Sequence, residues 1–140
     1  MKLSSKSRYA MRAMMYLAEH GQKGPQSLSR IKECGLPGEY LEQLLRCLRQ
    51  EGLVRSVRGN QGGYQLTRPA SDITVGEVIA AVEGPAMLQI CGDKPGNCEA
   101  AAHCSSNMAW AKLIHDIEAF MAQYSLEDML TYQTTSGGTA

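Results

Sequence analysis

The stretch Pro37–Leu66, PGEYLEQLLRCLRQEGLVRSVRGNQGGYQL, changes its hydrophobic period halfway, and that change decides the fold. Pro37 opens a helix in which Leu41, Leu44, Leu45 and Leu48 share one face. Glu39, Tyr40, Gln43, Arg46 and Arg49 fall largely on the other. Past Gly52 the helical period is lost. Leu53, Val54 and Val57 run into Arg58, Gly59, Asn60, Gln61, Gly62 and Gly63, and then into Tyr64 and Leu66. This is the pattern of a β-hairpin with a glycine-rich tip.

Working upstream, Ser27 is placed to cap a short helix through Leu28, Ile31 and Lys32 that ends near Cys34 and Gly35. Two short helices joined by a glycine-containing turn form a helix-turn-helix, and the hairpin after it is a wing. Before them, Ala10, Ala13, Met14, Leu17 and Ala18 recur at helical spacing between Ser5 and His20, with Gly21 as the stop. The expected fold is mainly α with a small β-hairpin wing.

Downstream, Thr74 and Glu77 make a T-x-x-E capping box for a helix carrying Val75, Val78, Ile79 and Val82. Residues 84–104 lack regular periodicity and contain Pro85, Gly92, Pro95 and Gly96 with Cys91, Cys98 and Cys104. Ser105 then caps a long helix whose Trp110, Leu113, Ile114, Ile117, Phe120, Met121 and Tyr124 form an apolar stripe in need of a partner. Ser125 and Asp128 start a short last helix through Leu130. The expected organisation is a winged helix-turn-helix domain over 1–83, a cysteine-containing loop over 84–104, the two C-terminal helices over 105–131 and a frayed tail over 132–140.

The chain is neutral as a whole, with 14 basic and 14 acidic residues, but its charge is split. Residues 1–69 hold twelve Lys or Arg against five Glu and no Asp, a formal +7, and the remainder carries −7. A basic half followed by an acidic half suits a phosphate-facing module joined to a protein-facing one. Lys2, Lys6 and Arg8 precede an apolar stretch broken by Arg12, Glu19 and His20, which excludes a signal peptide or membrane span there. A cytoplasmic protein is expected. Five cysteines, an odd number, favour metal or thiol chemistry over a disulfide framework.

A recognition helix lodged in the major groove reads base edges, and neighbouring cations hold phosphates. Glu39 and Gln43, one turn apart, are the candidates for base contact, with Arg46 and Arg49 for phosphate. Arg58, set among Gly59 and Gly62 at the wing tip, suits the minor groove. An exposed Arg is ordinarily just solvated, so it is the combination that points to DNA.

The spacing C-x6-C-x5-C is not a zinc ribbon, a ferredoxin run or a redox C-x-x-C. Three thiolates on one loop nevertheless suit an iron-sulfur cluster or zinc, with His103, Asn107 or a side chain from elsewhere in a dimer as fourth ligand. Cys34 and Cys47, beside the helix-turn-helix, read as small buried residues. Catalysis is not expected: Cys98, Cys104 and His103 supply a nucleophile and a base without an orienting group.

The opening MKLSSKSRYAMRAM, the stretch EYLEQLLRCLRQEGLVRSVRG, the wing GGYQL, the segment ITVGEVIAAVEG and the three loop cysteines together resemble the Rrf-two regulators, within them the iron-sulfur-sensing IscR branch. The resemblance runs from Met1 to about Met129. It implies a homodimer joined through the long C-terminal helix that binds an imperfect palindrome in double-stranded DNA, with RNA polymerase a candidate further partner. It places Glu39 and Gln43 on bases, Arg58 in the minor groove and Glu42 where operator class is tuned, and makes Cys91, Cys98 and Cys104 cluster ligands. The two-iron branch has a histidine where this chain has Asn107, and the four-iron branch has an aspartate where it has Arg8. The resemblance therefore leaves open a 2Fe-2S or a 4Fe-4S cluster. A cluster-free regulator switched by thiol oxidation, zinc or a protein partner is the first alternative, and an adaptor that binds no DNA the second.

Overall fold

The computed structural model describes residues 3–84 and 103–136, with the side chains of 134–136 left aside. The expected loop 84–104, with Cys91 and Cys98, lies almost wholly outside the described residues. The elements are α1 (Ser5–His20), α2 (Leu28–Lys32), α3 (Gly38–Gln50), β1 (Val54–Val57), β2 (Gly63–Leu66), α4 (Val75–Glu83), α5 (Ser105–Met121) and α6 (Leu126–Ser136), with single 3-10 turns at Gly21–Lys23 and Ala70–Asp72. This is a winged helix-turn-helix with two further helices.

Local chemistry sets the boundaries. Ser4 and Ser27 cap α1 and α2 by accepting from the Ser7 and Arg30 amides. Pro37 is the cap of α3 rather than its first residue, and its carbonyl accepts from the Leu41 amide at 2.9 Å. The other end of α3 is a Schellman closure: the Leu53 amide bonds the Leu48 carbonyl and the Gly52 amide the Arg49 carbonyl. Gly52 at φ 75° permits the reversal into β1. Thr74 and Glu77 form the expected capping box on α4.

The core joins α1, α2, α3 and α4 through Ala10, Met14, Leu17, Ile31, Leu41, Leu45, Leu48, Val78 and Val82, all buried. Leu53 and Val54 extend it under the wing, and Ile73 and Leu126 close it from the C-terminal side. Burying a leucine or isoleucine side chain stabilises by roughly 1.5–3 kcal/mol, so this cluster holds the helix-turn-helix rigid. Cys34 and Cys47 are half-buried and pack against it. Arg12 reaches from α1 to the Cys34 carbonyl and so pins the turn between α2 and α3.

The wing pairs β1 with β2 antiparallel, Val54 opposite Leu66 and Val57 opposite Gly63. It is also joined to the residue before the α2 cap: the Gln26 amide donates to the Tyr64 carbonyl at 2.9 Å and the Tyr64 amide to the Gln26 carbonyl at 2.8 Å. A Cβ on Gly63 would run into the Gln26 carbonyl, so only glycine allows this approach. The Gln26 side chain is buried and donates to the carbonyls of Gly24 and His20.

The C-terminal helices dock unequally. Segment 73–75 pairs with 124–126, through Val75 amide to Tyr124 carbonyl at 2.8 Å and Leu126 amide to Ile73 carbonyl at 2.9 Å. Ser125 and Asp128 cap α6 reciprocally. The expectation of a tail from residue 132 needs correction, because α6 continues to Ser136. No glycine or proline interrupts the chain between Ser125 and Gly137, so there is no local stop signal before that point. Cys104 rather than Ser105 occupies the cap position of α5, and none of the residues of α5 is buried.

Glu83, the last residue of α4, accepts from the hydroxyls of both Ser4 and Ser7 at the start of α1. It supplies the negative charge that the first turn of α1 lacks. The Ser4 and Ser7 hydrogen bonds, helped by nearby Lys6 and opposed by partial burial, hold its carboxyl below the usual carboxylate range. A carboxyl held down in the folded state contributes stability that is present above its unfolded pKa and lost as pH falls through the folded one. Glu83→Gln is expected to cost about 1 kcal/mol at neutral pH. The gap to wild type should close below about pH 4, as measured by urea unfolding across that range.

Candidate nucleic-acid interface

Helix α3 presents Glu39, Glu42, Gln43, Arg46 and Arg49 to solvent, all exposed. Its buried side is the leucine face, so amphipathicity alone fixes which side chains point out. Glu39 and Gln43 stand one turn apart and Arg46 follows on the same side. Glu39 lies in the first turn, where the helix dipole favours a carboxylate. Beside this row is a shallow cleft of about 170 Å³ lined by Leu28, Glu42, Leu45, Arg46, Arg49 and Tyr64. It brings the expected tuning residue Glu42 together with the two expected phosphate cations and with the wing. Arg49 also donates to the Ser56 hydroxyl of β1 at 3.4 Å, so it faces the wing.

At the wing tip Arg58 is exposed, and no ion pair neutralises it among the described residues. The tip is closed by a bond from the Gly62 amide to the Gly59 carbonyl at 3.0 Å, with Gly59 at φ 115°. A Cβ on Gly62 would meet the Val57 carbonyl. Both glycines therefore serve the turn that carries Arg58. A helix face offering hydrogen-bonding side chains and a cationic loop held rigidly beside it are what two adjacent DNA grooves require.

Three contributors to this geometry were not visible as such in the sequence. Gln26 sits in the segment PQS, and nothing local marks it as the partner of Tyr64. Arg68, exposed on the strand exit, pairs with Glu77 at 2.8 Å. Partial burial would raise the Glu77 carboxyl, but hydrogen bonds from the Thr74 amide and Arg68 outweigh it and hold the carboxyl down. Arg12 would have needed the tertiary fold to be seen reaching the helix-turn-helix turn.

Of the three cysteines, the structure describes Cys104, half-exposed at the head of α5 with its thiol uncommitted to capping. His103 next to it is exposed, and Asn107, partly buried, lies one turn on. Among the described residues no three histidine, cysteine or carboxylate side chains cluster as a metal site. Thiols with a neighbouring imidazole or amide are a donor set that iron-sulfur clusters and zinc accept. Arg8, where one branch has an acidic ligand, donates instead to the Ser5 hydroxyl at 3.3 Å.

Among the described residues no helix is long and apolar enough to cross a membrane. The sequence profile of the family described as "Rrf2: Iron-dependent Transcriptional regulator" matches residues 3–132. The HTH-type transcriptional regulator IscR of Photorhabdus laumondii is 42% identical over 134 residues, covering 95% of this chain and 81% of its own. The IscR of Xenorhabdus nematophila is 43% identical with the same coverage. Among solved structures, T. potens IscR superposes with a TM-score of 0.74 at 37% identity, covering all of this chain and 93% of that one. CymR of B. subtilis, described as the global cysteine regulator, gives 0.73 at 34% identity, covering 94% of this chain and 98% of that one. These relatives are regulators rather than enzymes, and the adaptor alternative has no support among them. With its winged helix-turn-helix, its family match and these relatives in agreement, the chain belongs to the Rrf2 family of transcriptional regulators.

Proposed function

We propose that this chain works in the cytoplasm as a homodimer that binds an imperfect palindrome in double-stranded DNA, with operator affinity set by an iron-sulfur cluster on Cys91, Cys98 and Cys104. The observation that carries the DNA reading is the row Glu39, Gln43 and Arg46 standing beside Arg58 on a wing tied down at Gln26 and Tyr64. Glu39 and Gln43 contact bases, Glu42 tunes which bases are accepted, and Arg46 and Arg49 hold phosphate. Arg58, with Gly59 and Gly62 shaping the tip, enters the minor groove.

Helix α5 supports the dimer. It is about 25 Å long, buries no residue within one chain, and leaves Met108 74%, Leu113 45% and Phe120 57% exposed. A helix of this length is marginal in water without a packed apolar face, and a second α5 supplies one. RNA polymerase, as a further partner, would meet surface outside this seam.

The cluster, when bound, would supply a redox- and iron-responsive group held by the three thiolates, with His103 or Asn107 as candidates for the fourth position. Cys104 opens α5, and the end of α5 runs into the 124–126 segment that pairs with 73–75. On the other side of segment 84–104, Glu83 is anchored on Ser4 and Ser7. A change at Cys104 would therefore travel along α5 to the 124–126 segment and so to the DNA-binding domain. The shift in operator affinity is limited by how differently the two dimer states bind the cluster.

Two observations favour a second reading, a cluster-free regulator switched by thiol oxidation, zinc or a protein partner. Asn107 replaces the histidine of the two-iron branch, and the similarity to CymR is close to that with T. potens IscR. Protein purified without oxygen decides between them. The proposal predicts a brown protein with matched iron and acid-labile sulfide, and changing Cys91, Cys98 and Cys104 together to serine should abolish both colour and cluster-dependent affinity. A colourless protein that resists reconstitution points to the second reading. For the DNA contacts, Arg58→Ala is expected to weaken operator binding by roughly 1–3 kcal/mol in a fluorescence anisotropy titration. A negligible change returns Arg58 to the solvent.

A further inference from the structure

Between the start of α2 and the wing tip lies a second cleft, of about 370 Å³, walled by Lys23, Ser27 and Arg30 on one side and Asn60, Gln61 and Gly62 on the other. Lys23 and Arg30 are exposed, and neither joins an ion pair among the described residues. No carboxylate lines the cleft. Its lining side chains offer an ammonium, a guanidinium, a hydroxyl and two amides, a donor-rich set suited to an anion with several oxygens. The two walls are fixed to each other, because Gln26, between Lys23 and Ser27, carries the backbone bridge to Tyr64 just past the wing tip.

The position says which anion. When α3 occupies a major groove and the wing tip the neighbouring minor groove, one sugar-phosphate strand separates the two grooves and must pass beside the wing. We propose that this cleft holds a phosphodiester of that strand, with Lys23 and Arg30 as its cations and the Asn60 and Gln61 amides as added donors. Arginine grips phosphate with two parallel N–H bonds and lysine as a point charge, so the pair positions the duplex without reading its sequence. The inference rests on the DNA-binding reading above and adds to its contacts a site between helix-turn-helix and wing.

The test compares the full chain with the double variant Lys23→Gln/Arg30→Gln, and with Lys23→Arg/Arg30→Lys, which keeps both charges. Affinity for an operator duplex and for an unrelated duplex is measured by anisotropy from about 50 to 200 mM salt, the range over which phosphate binding dominates. The slope of log affinity against log salt should become shallower by about 0.9 for the one phosphate that each protomer no longer neutralises, close to 2 for a dimer on its operator. The weakening should be equal on both duplexes, with the charge-keeping variant near wild type and the unfolding midpoint unchanged. An unaltered slope in the glutamine variant overturns the proposal, as does a weakening confined to the operator, which would mean base recognition. Abolished inorganic phosphate binding with an unaltered DNA slope also overturns it, in favour of a free-anion pocket. A wild-type chain with no salt-dependent DNA affinity would sink the DNA-binding reading itself and this site with it.

Discussion

The two backbone hydrogen bonds between Gln26 and Tyr64 set the angle between wing and helix-turn-helix, and the DNA-facing geometry depends on that angle. A two-stranded ribbon is marginal in water, and β1–β2 taken alone would be one. Pairing with Gln26 gives β2 a second neighbour, and the buried Gln26 side chain, bonded to the Gly24 and His20 carbonyls, holds that neighbour still. Arg58 is therefore presented on a tip whose distance from Glu39 and Gln43 is fixed before any DNA is met. Binding then loses little ordering entropy, which is the advantage of preorganisation.

The C-terminal part obeys a different rule. Segment 73–75 pairs with 124–126, and Leu126 is buried in the common core, so the end of α5 and the start of α6 belong to the DNA-binding domain. The body of α5 does not, because its apolar side chains meet solvent in a single chain. A helix rooted at one end and exposed along its body is suited to meet a second copy, as the proposed dimer requires. Cys104, the thiolate of the proposed cluster that lies among the described residues, sits at the opposite end of α5 from that root.

Much of this was legible in the sequence because it is local. The change of period at Gly52 announced helix then wing, T-x-x-E at Thr74 and Glu77 announced the start of α4, and the leucine face of α3 identified its exposed side. Misses by one residue, Pro37 and Cys104 as caps, arise because a cap and the first helical residue are adjacent and chemically similar choices. What stayed hidden is non-local. Glu83 meets Ser4 across almost the whole DNA-binding domain, Arg12 meets the Cys34 carbonyl from another helix, and Gln26 is a strand partner without a strand sequence. Such contacts are made by polar atoms whose partners only the tertiary fold supplies. The same holds for the cleft of Lys23 and Arg30, whose second wall arrives with the wing.

The proposed binding mode has one protomer read a major groove and the adjacent minor groove at a fixed separation. Methylation interference on a selected operator tests it directly, since one reagent marks guanine N7 in the major groove and adenine N3 in the minor groove. In each half-site, interference at guanine N7 is expected to be flanked, about 5 base pairs away, by interference at adenine N3, half a helical turn along the duplex. Interference at N7 positions alone would show that the wing does not enter the minor groove, and would contradict rigid two-groove binding.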